Sequence, residues 1–323
     1  MIAVEPDNQQ FKSLRLRRKQ EIADNIWLFE LESQQSQLFD PYEPGAHITM
    51  VTPSGARRQY SLCGSGQQTD HYTVAIKAEQ HGRGASLSMV EQTDVGDLLA
   101  VSAPQNTFPL DPAEEYLFIA GGIGITPIMS MLLHLKQIGH NRFQLIYCTR
   151  DAGSTPFAEE LQQAFFAANT IIHHDGGDIE RIYDLWPLFE KPGNQLVYCC
   201  GPRPMMDEVR DMSGHWRSGA IRFEDFASDV QAVKPDDSAF QVRHADTGQS
   251  FLIPGNATIL ETLRAAGCDL RSSCESGTCG SCRVELVDGT ADHRDMVLQP
   301  HERDKYMMIC VSRSQSKELV LRW

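Results

Sequence analysis

Residues 271–282 read Arg271-Ser-Ser-Cys274-Glu-Ser-Gly277-Thr-Cys279-Gly280-Ser-Cys282, and Cys310 follows 28 positions after Cys282. The spacing C-x4-C-x2-C…C is that of thiolates holding a [2Fe–2S] cluster of the plant type. Four sulfurs have to converge within a few ångströms, so the loop that carries three of them wraps tightly. Gly277 and Gly280 take Cβ atoms out of that path. The small residues Ser273, Ser276, Thr278 and Ser281 let backbone N–H groups point at sulfur, a contact that tunes the reduction potential. A structural zinc site with four cysteine ligands is the alternative. Zinc ribbons favour paired C-x2-C units, and this stretch has one pair, Cys279 and Cys282, which favours the cluster. Cys268 stands outside the pattern and reads as a core thiol after a helix.

Working outward, residues 239–323 form a small unit: two short strands, a helix over 258–266, the cysteine loop and further strands. Residues 228–238, charged and containing Pro235, read as a linker. Upstream the rhythm alternates. Strands are expected at 116–120, 143–148, 170–174 and 196–199, with helices at 127–137, 157–168 and 205–212. Such alternation predicts an α/β domain with a parallel sheet, spanning 111–227, that takes a nucleotide at its strand ends. Residues 1–110 carry closely spaced strands (26–32, 47–52, 57–63, 71–78, 98–102), a short helix at 85–91 and turn signals such as Glu43-Pro44-Gly45 and Pro53-Ser54-Gly55. They predict an antiparallel β-barrel.

A chain of 323 residues exceeds what one core serves, and its formal net charge of −14 argues against nucleic acid or an anionic membrane as partner. The uncharged stretch 117–133 approaches membrane-span length, but glycines and Pro127 interrupt it. It reads as strand, turn and helix. The first twenty residues hold no signal-peptide core. Nine cysteines, several of them clustered, then suggest metal binding in a reducing, cytoplasmic compartment rather than disulfides.

Other motifs carry weaker signals. Arg58-Gln59-Tyr60-Ser61 begins a strand, and Gly82-Arg83-Gly84-Ala85-Ser86 opens a short helix with the groups that suit a phosphate. Taken alone, an arginine in a strand is usually a solvated face. Gly121-Gly122-Ile-Gly124-Ile-Thr126-Pro127 follows a strand and opens a helix. It is not the G-x-G-x-x-G fingerprint, and it reads either as a ligand-approach turn or as a tight strand–helix connection. Cys199-Cys200-Gly201-Pro202 ends a strand where such sheets line a crevice, although a cysteine there is more often buried filler. Phe226 alone would be assigned to a core.

With these pieces in order, the sequence resembles the phthalate dioxygenase reductase family, the reductase components of Rieske-type aromatic-ring oxygenases, across residues 10–323. The motifs that carry the likeness are RxYSLC (58–63), GRGxS (82–86), AGGIGITP (120–127), YCCGP (198–202), FEDF (223–226), SSCESGTCGSC (272–282), ADHRDMVL (291–298) and CVSRSQSKELVL (310–321). The resemblance implies an FMN barrel, an NADH domain and a C-terminal plant-type ferredoxin domain of α+β class. It places FMN against Arg58, Gln59, Tyr60, Ser61, Ala75, Ile76, Lys77, Arg83, Gly84, Ala85 and Ser86. NADH would lie against Gly121, Gly122, Gly124, Pro127, Thr149, Arg150, Cys200, Gly201 and Pro202. Thr126, Cys200 and Phe226 would stand at the hydride-transfer site, with Phe226 over the flavin ring. The cluster ligands would be Cys274, Cys279, Cys282 and Cys310. Ala85 departs from the family's usual glycine.

The implied activity is hydride transfer from NADH to FMN and single-electron transfer through the cluster to a Rieske-type oxygenase, by a monomer. A reductase for a vanillate- or carnitine-type monooxygenase and a stand-alone ferredoxin-type carrier are the alternatives. A self-contained oxygenase would need a C-x-H…C-x2-H pattern, which the sequence lacks. The stretch His174-Asp175-Gly176-Gly177-Asp178 offers carboxylates for a ribose and contains no arginine for a 2′-phosphate, which favours NADH.

Overall fold

The computed structural model describes residues 11–35, 38–67, 70–80, 84–226, 233–234, 237–272, 277, 280–295 and 297–323. Arg83, Cys274 and Cys279, named above as candidate site residues, lie outside these. The chain forms two compact units, which divide after Phe226.

The first unit begins with β1 (Lys12–Ala23) and β2 (Ile26–Ser33), followed by β3 (His47–Val51), β4 (Arg57–Ser61), β5 (His71–Lys77), helix α1 (Ala85–Glu91) and β6 (Leu98–Val101). Among the described residues these strands make a six-stranded sheet in the order β4-β3-β6-β1-β2-β5. An antiparallel bridge between Leu62 and Val74, beside Cys63 N–H donating to Thr73 O at 2.9 Å, joins its two ends into a barrel. Strand β1 is absent from the sequence expectation. Half of its stretch KSLRLRRKQEIA is charged, and only Leu14 and Leu16 point fully inward. Lys19 also serves the fold: its ammonium donates to Val90 O and Thr93 O, both at 2.6 Å, at the C-terminal end of α1. A cation there meets unpaired carbonyls and the negative end of the helix dipole.

The unit continues with β7 (Tyr116–Gly121), α2 (Ile125–Gln137), β8 (Phe143–Thr149), α3 (Ala158–Leu161), α4 (Ala164–Ala167), β9 (Thr170–His174), α5 (Trp186–Phe189), β10 (Leu196–Cys200), α6 (Arg203–Met212) and β11 (Ile221–Glu224). The strands are parallel, in the order β11-β10-β7-β8-β9. Central β7 is buried at every position. Phe118 and Ala120 face one core with α2, whereas Leu117 and Ile119 face another with Met206 and Val209 of α6. The single helix expected over 157–168 is instead two short pieces, preceded by Phe157 in the left-handed region at φ 62°.

Ile26, Leu28, Cys63, Ala75 and Phe108 of the barrel share the α2 core with Ile125, Ile128 and Met131. Barrel and α/β layer are therefore packed as one body. Gly45 N–H donates to Ser130 Oγ of α2 at 3.0 Å, and a Cβ on Gly45 would lie 2.0 Å from Phe108 O.

The second unit comprises β12 (Phe240–His244), β13 (Ser250–Ile253), α7 (Ile259–Ala265), β14 (Arg283–Asp288), β15 (Ala291–Asp292), β16 (Tyr306–Met308), β17 (Arg313–Ser314) and β18 (Glu318–Arg322). A mixed sheet runs β13-β12-β18-β14-β16, and β15 pairs with β17. Helix α7 opens with a capping box between Thr258 and Glu261. Its buried Ile259, Leu260 and Leu263 pack on Val242, Leu319 and Leu321, with Cys268 against the same core. The architecture is the expected one: a barrel, a parallel α/β layer and a C-terminal α+β unit. No helix among the described residues is long and apolar enough to cross a membrane.

Candidate functional site

Strand β4 carries Arg58, Gln59, Tyr60 and Ser61 along the barrel edge, paired with β3 through Ile48↔Tyr60 and His47↔Ser61. The Tyr60 hydroxyl is buried and has no hydrogen-bond partner among the described residues, and burial holds the phenol well above its ordinary pKa. A buried donor with nothing to bond to is the kind of group a ligand satisfies. Strand β5 alternates: Ala75 faces the core shared with α2, Ile76 faces the barrel interior, and Lys77 reaches solvent beside Glu79. At the start of α1, Gly84 takes the left-handed conformation (φ 78°), whereas Ala85 is the first helical residue and is buried. The left-handed demand therefore falls on Gly84, and Ala85 in place of the family's glycine leaves that geometry intact. Ser86 Oγ accepts from Glu79 N at 3.1 Å, which leaves its hydroxyl proton to donate.

The C-terminal edge of the parallel sheet meets this face. Ser61 Oγ donates to Glu224 Oε2 at 3.4 Å, which ties β4 of the barrel to the end of β11. Glu224 is paired in register with Cys200 at the end of β10. Burial pushes the Glu224 carboxyl up to about 8, against the opposing effect of the Ser61 hydrogen bond. The Cys200 thiol is buried and driven far above its usual pKa for the same reason, with the nearby carboxyls adding to the effect. It is therefore a neutral, packed thiol rather than a thiolate nucleophile. Thr126 is buried and its hydroxyl donates to Ile123 O at 3.0 Å. Phe226, two residues beyond Glu224, keeps 40% of its surface exposed. Sequence reasoning did not single out Glu224; its partner in the site lies 163 residues away.

The glycines of 121–124 divide their tasks. A Cβ on Gly121 would lie 2.4 Å from Pro202 Cδ, and one on Gly124 would lie 2.3 Å from Cys200 O. Both therefore serve the close approach of the two strand ends, not the clearing of a ligand path. Gly122, left-handed at φ 51°, faces open space, and Pro127 lies in the first turn of α2. Thr149 is buried, with its hydroxyl 2.7 Å from Thr155 Oγ1 and 2.8 Å from His174 Nδ1. In the turn after β9, Asp175 accepts from Gly177 N and Asp178 from Glu180 N, so each carboxylate braces its own turn. Arg150 borders Gly177, and Arg181 borders Gly176. The absence of arginine from residues 174–178 thus does not carry over to space. An open hollow of about 560 Å³ around Asp111, Leu196 and Arg222 lies at the opposite edge, where the strands begin.

In the second unit the β14–β16 pairing, Arg283↔Met308, brings Cys282 and Cys310 together. Their sulfurs are 3.0 Å apart and both are buried. Gly277 is left-handed at φ 78°, and a Cβ on it would lie 2.7 Å from Val311 Cγ2. Gly280 is left-handed at φ 80°. The described half of the ligand set thus presents two converging sulfurs, with glycine where the loop turns against the strand end. That arrangement fits a cluster bound by four thiolates.

The comparisons agree with this geometry. The profile of the oxidoreductase FAD-binding domain matches residues 13–109, and that of the 2Fe-2S iron-sulfur cluster binding domain matches residues 242–315. The chain is 46% identical over 318 residues to phthalate dioxygenase reductase of Burkholderia cepacia, covering 98% of each. It is 47% identical over 313 residues to the phthalate 4,5-dioxygenase oxygenase reductase subunit of Pseudomonas putida, covering 96% of each. A solved structure, phthalate dioxygenase reductase, described as modular for electron transfer from pyridine nucleotides to [2Fe-2S], superposes with a TM-score of 0.89 at 46% identity. The match covers 97% of this chain and 98% of that one.

Proposed function

The chain belongs to the phthalate dioxygenase reductase family, and on that premise we propose that it passes electrons from NADH to a Rieske-type oxygenase of aromatic-ring catabolism. Bound FMN supplies the conversion between two-electron and one-electron chemistry, and a [2Fe–2S] cluster supplies the one-electron relay. Residues 1–110 hold the flavin, 111–227 the dinucleotide and 239–323 the cluster, in a monomer.

The chain's own residues bind and orient. Arg58, Gln59, Tyr60 and Ser61 line the flavin edge, with Arg83 to Ser86 at its phosphate, and the unpartnered Tyr60 hydroxyl donates to the ligand. Gly122 leaves the dinucleotide an open approach over the end of β7, and Phe226 covers the ring. Thr126 and Cys200 pack the floor where the two rings meet. Glu224, held protonated by burial below about pH 8 and hydrogen-bonded to Ser61, would join the barrel strand to the end of β11 without placing a charge at the ring edge. Cys274, Cys279, Cys282 and Cys310 hold the irons.

The observation that carries this reading is the Ser61–Glu224 contact, which closes the barrel's flavin strand onto the nucleotide-binding edge. The test is anaerobic addition of NADH to the purified protein, followed by reconstitution with a phthalate-type oxygenase component. Bleaching of flavin and cluster absorbance and NADH-dependent product formation are expected. A colourless protein, or one with zinc and no acid-labile sulfide, sinks the proposal. Releasing the flavin with acid and weighing it separates FMN from FAD. With Arg150 and Arg181 beside the ribose turn, turnover on NADPH is the decisive comparison for the donor, and a preference for NADPH overturns the NADH assignment.

A further inference from the structure

Among the described residues Arg313 is one of the largest fully buried side chains, at 2% exposure. Its guanidinium donates to the carbonyls of Ala257 at 2.5 Å and of Ser238 and Pro254 at 3.1 Å, and its Nε lies 3.2 Å from Asp237 Oδ2. Asp237 is also gripped through both oxygens by Arg294, at 2.7 and 2.6 Å, and accepts from Lys234 N at 2.7 Å. Arg294 turns its Nε to Asp292 at 2.7 Å, and Asp292 faces Arg313 across the β15–β17 pair. Among the described residues two guanidiniums thus share the carboxylates of Asp237 and Asp292, with Asp237 and both arginines largely shielded from solvent. One of the carboxylates, Asp237, serves both arginines. They hold it far below the ordinary carboxyl range, at about 2, so it is ionised at any working pH. The backbone is shaped to admit it: a Cβ on Gly255 would lie 2.3 Å from Asp237 O.

The cluster of charges is linked through the chain to a sulfur ligand. Arg313 follows Cys310 by three residues, a span of at most about 11 Å along the chain. Ser312, between them, accepts from Arg294 N at 3.2 Å and donates to the buried Asp295 carboxylate at 3.3 Å. The strand end carrying Cys310 is thus pinned by the same segment that holds Asp237. An iron–sulfur centre gains a negative charge on reduction, and buried charges near it act with little screening.

On the reading that this unit holds a [2Fe–2S] cluster, we propose that Asp237 is a positioning residue for Cys310 and that its charge, shared between Arg294 and Arg313, sets the cluster's reduction potential. Without Asp237 the surroundings of the cluster carry one negative charge fewer, and the reduced state is favoured.

The test uses the full-length holoprotein and a redox titration followed by the electron paramagnetic resonance of the reduced cluster. Asp237→Asn keeps the shape and removes the charge. Its cluster should be reduced at a higher potential, with the reduction equilibrium shifted about three- to tenfold, tenfold being 59 mV for one electron. Adding Arg294→Gln restores the charge balance and should return the potential to the parent value, although the melting temperature stays low. Asp237→Glu should keep the parent potential. The rate of flavin reduction by NADH should be the same in all of them. An unshifted Asp237→Asn, or a double variant as displaced as the single one, reduces Asp237 to a structural residue and overturns the proposal. If Asp237→Asn cannot retain iron and sulfide, the double variant and Asp237→Glu decide: both at the parent potential uphold the proposal, and a shift in either overturns it. A parent protein with no cluster signal defeats the cluster reading itself, a separate result.

Discussion

Glu224 is a carboxyl whose folded environment suits it only when neutral. Burial raises it to about 8 from the usual 4.5. Between those values the unfolded chain has released a proton that the folded chain retains, so stability falls as pH rises from about 4.5 to about 8 and levels off beyond. The slope is at most about 1.4 kcal/mol per pH unit, reduced by the water that reaches this half-buried group. Glu224→Gln should flatten the dependence of melting temperature on pH across that window, and parallel curves for variant and parent would disprove the assignment. Gly277 makes a different demand. At φ 78° an alanine costs about 1–2 kcal/mol, and its Cβ, 2.7 Å from Val311 Cγ2, has to displace a fully buried side chain. Gly277→Ala should therefore lower the iron and acid-labile sulfide recovered per chain by more than half, while flavin content stays unchanged. Full cluster occupancy in that variant would show that the loop tolerates a Cβ there. The need for glycine at this position was legible in the sequence, because the cysteine spacing demands a tight loop. Glu224 was not legible, since the burial that raises its pKa is created by the fold and its hydrogen-bond partner Ser61 lies far away in the chain.

At the level of elements, strands with alternating or continuous apolar patterns were readable, and those held by charged side chains were not. Strand β1 escaped because its apolar positions are few and a charged residue, Lys19, takes up the aromatic neighbours, its ammonium 5.4 and 6.0 Å from the ring centres of Trp27 and Phe29. The helix expected over 157–168 breaks at Gln163, whose backbone is extended at φ −61° and ψ 146°, a conformation that no local residue signals. The same lysine gives a test of how α1 is held. Its two hydrogen bonds to Val90 O and Thr93 O anchor the far end of the helix that Gly84, Ala85 and Ser86 open. Lys19→Met keeps the apolar stem and loses the charge-assisted bonds, a cost of about 1–2 kcal/mol. Part of that cost should reach the phosphate end, so FMN should dissociate about fivefold more readily, fivefold being about 1 kcal/mol. Fluorescence of released flavin on dilution measures it. Undiminished flavin affinity in a variant with lowered stability would separate α1's anchoring from the ligand.

At the scale of the whole molecule, domain order was readable because each segment has its own periodicity, whereas the contacts that complete each site join residues remote in sequence. Ser61 reaches Glu224, and Asp237, in the stretch read from sequence as a linker, is locked into the second unit by Arg294 and Arg313. Net charge is the other global property, and at −14 it governs encounters before any contact forms. An acceptor protein with a basic docking face is attracted, and raising salt shortens the reach of that attraction to about 10 Å at 0.1 M. Ferricyanide, a small anion, is repelled by the same field, and salt relieves the repulsion. Raising ionic strength from about 20 to about 300 mM should therefore slow oxygenase-coupled NADH oxidation several-fold and accelerate ferricyanide reduction. Opposite signs separate electrostatic docking from a salt effect on NADH binding or on the fold, either of which would move both rates together. If both assays slow in parallel, the acidic surface plays no part in recruiting the oxygenase, and the docking face has to be sought among the apolar side chains instead.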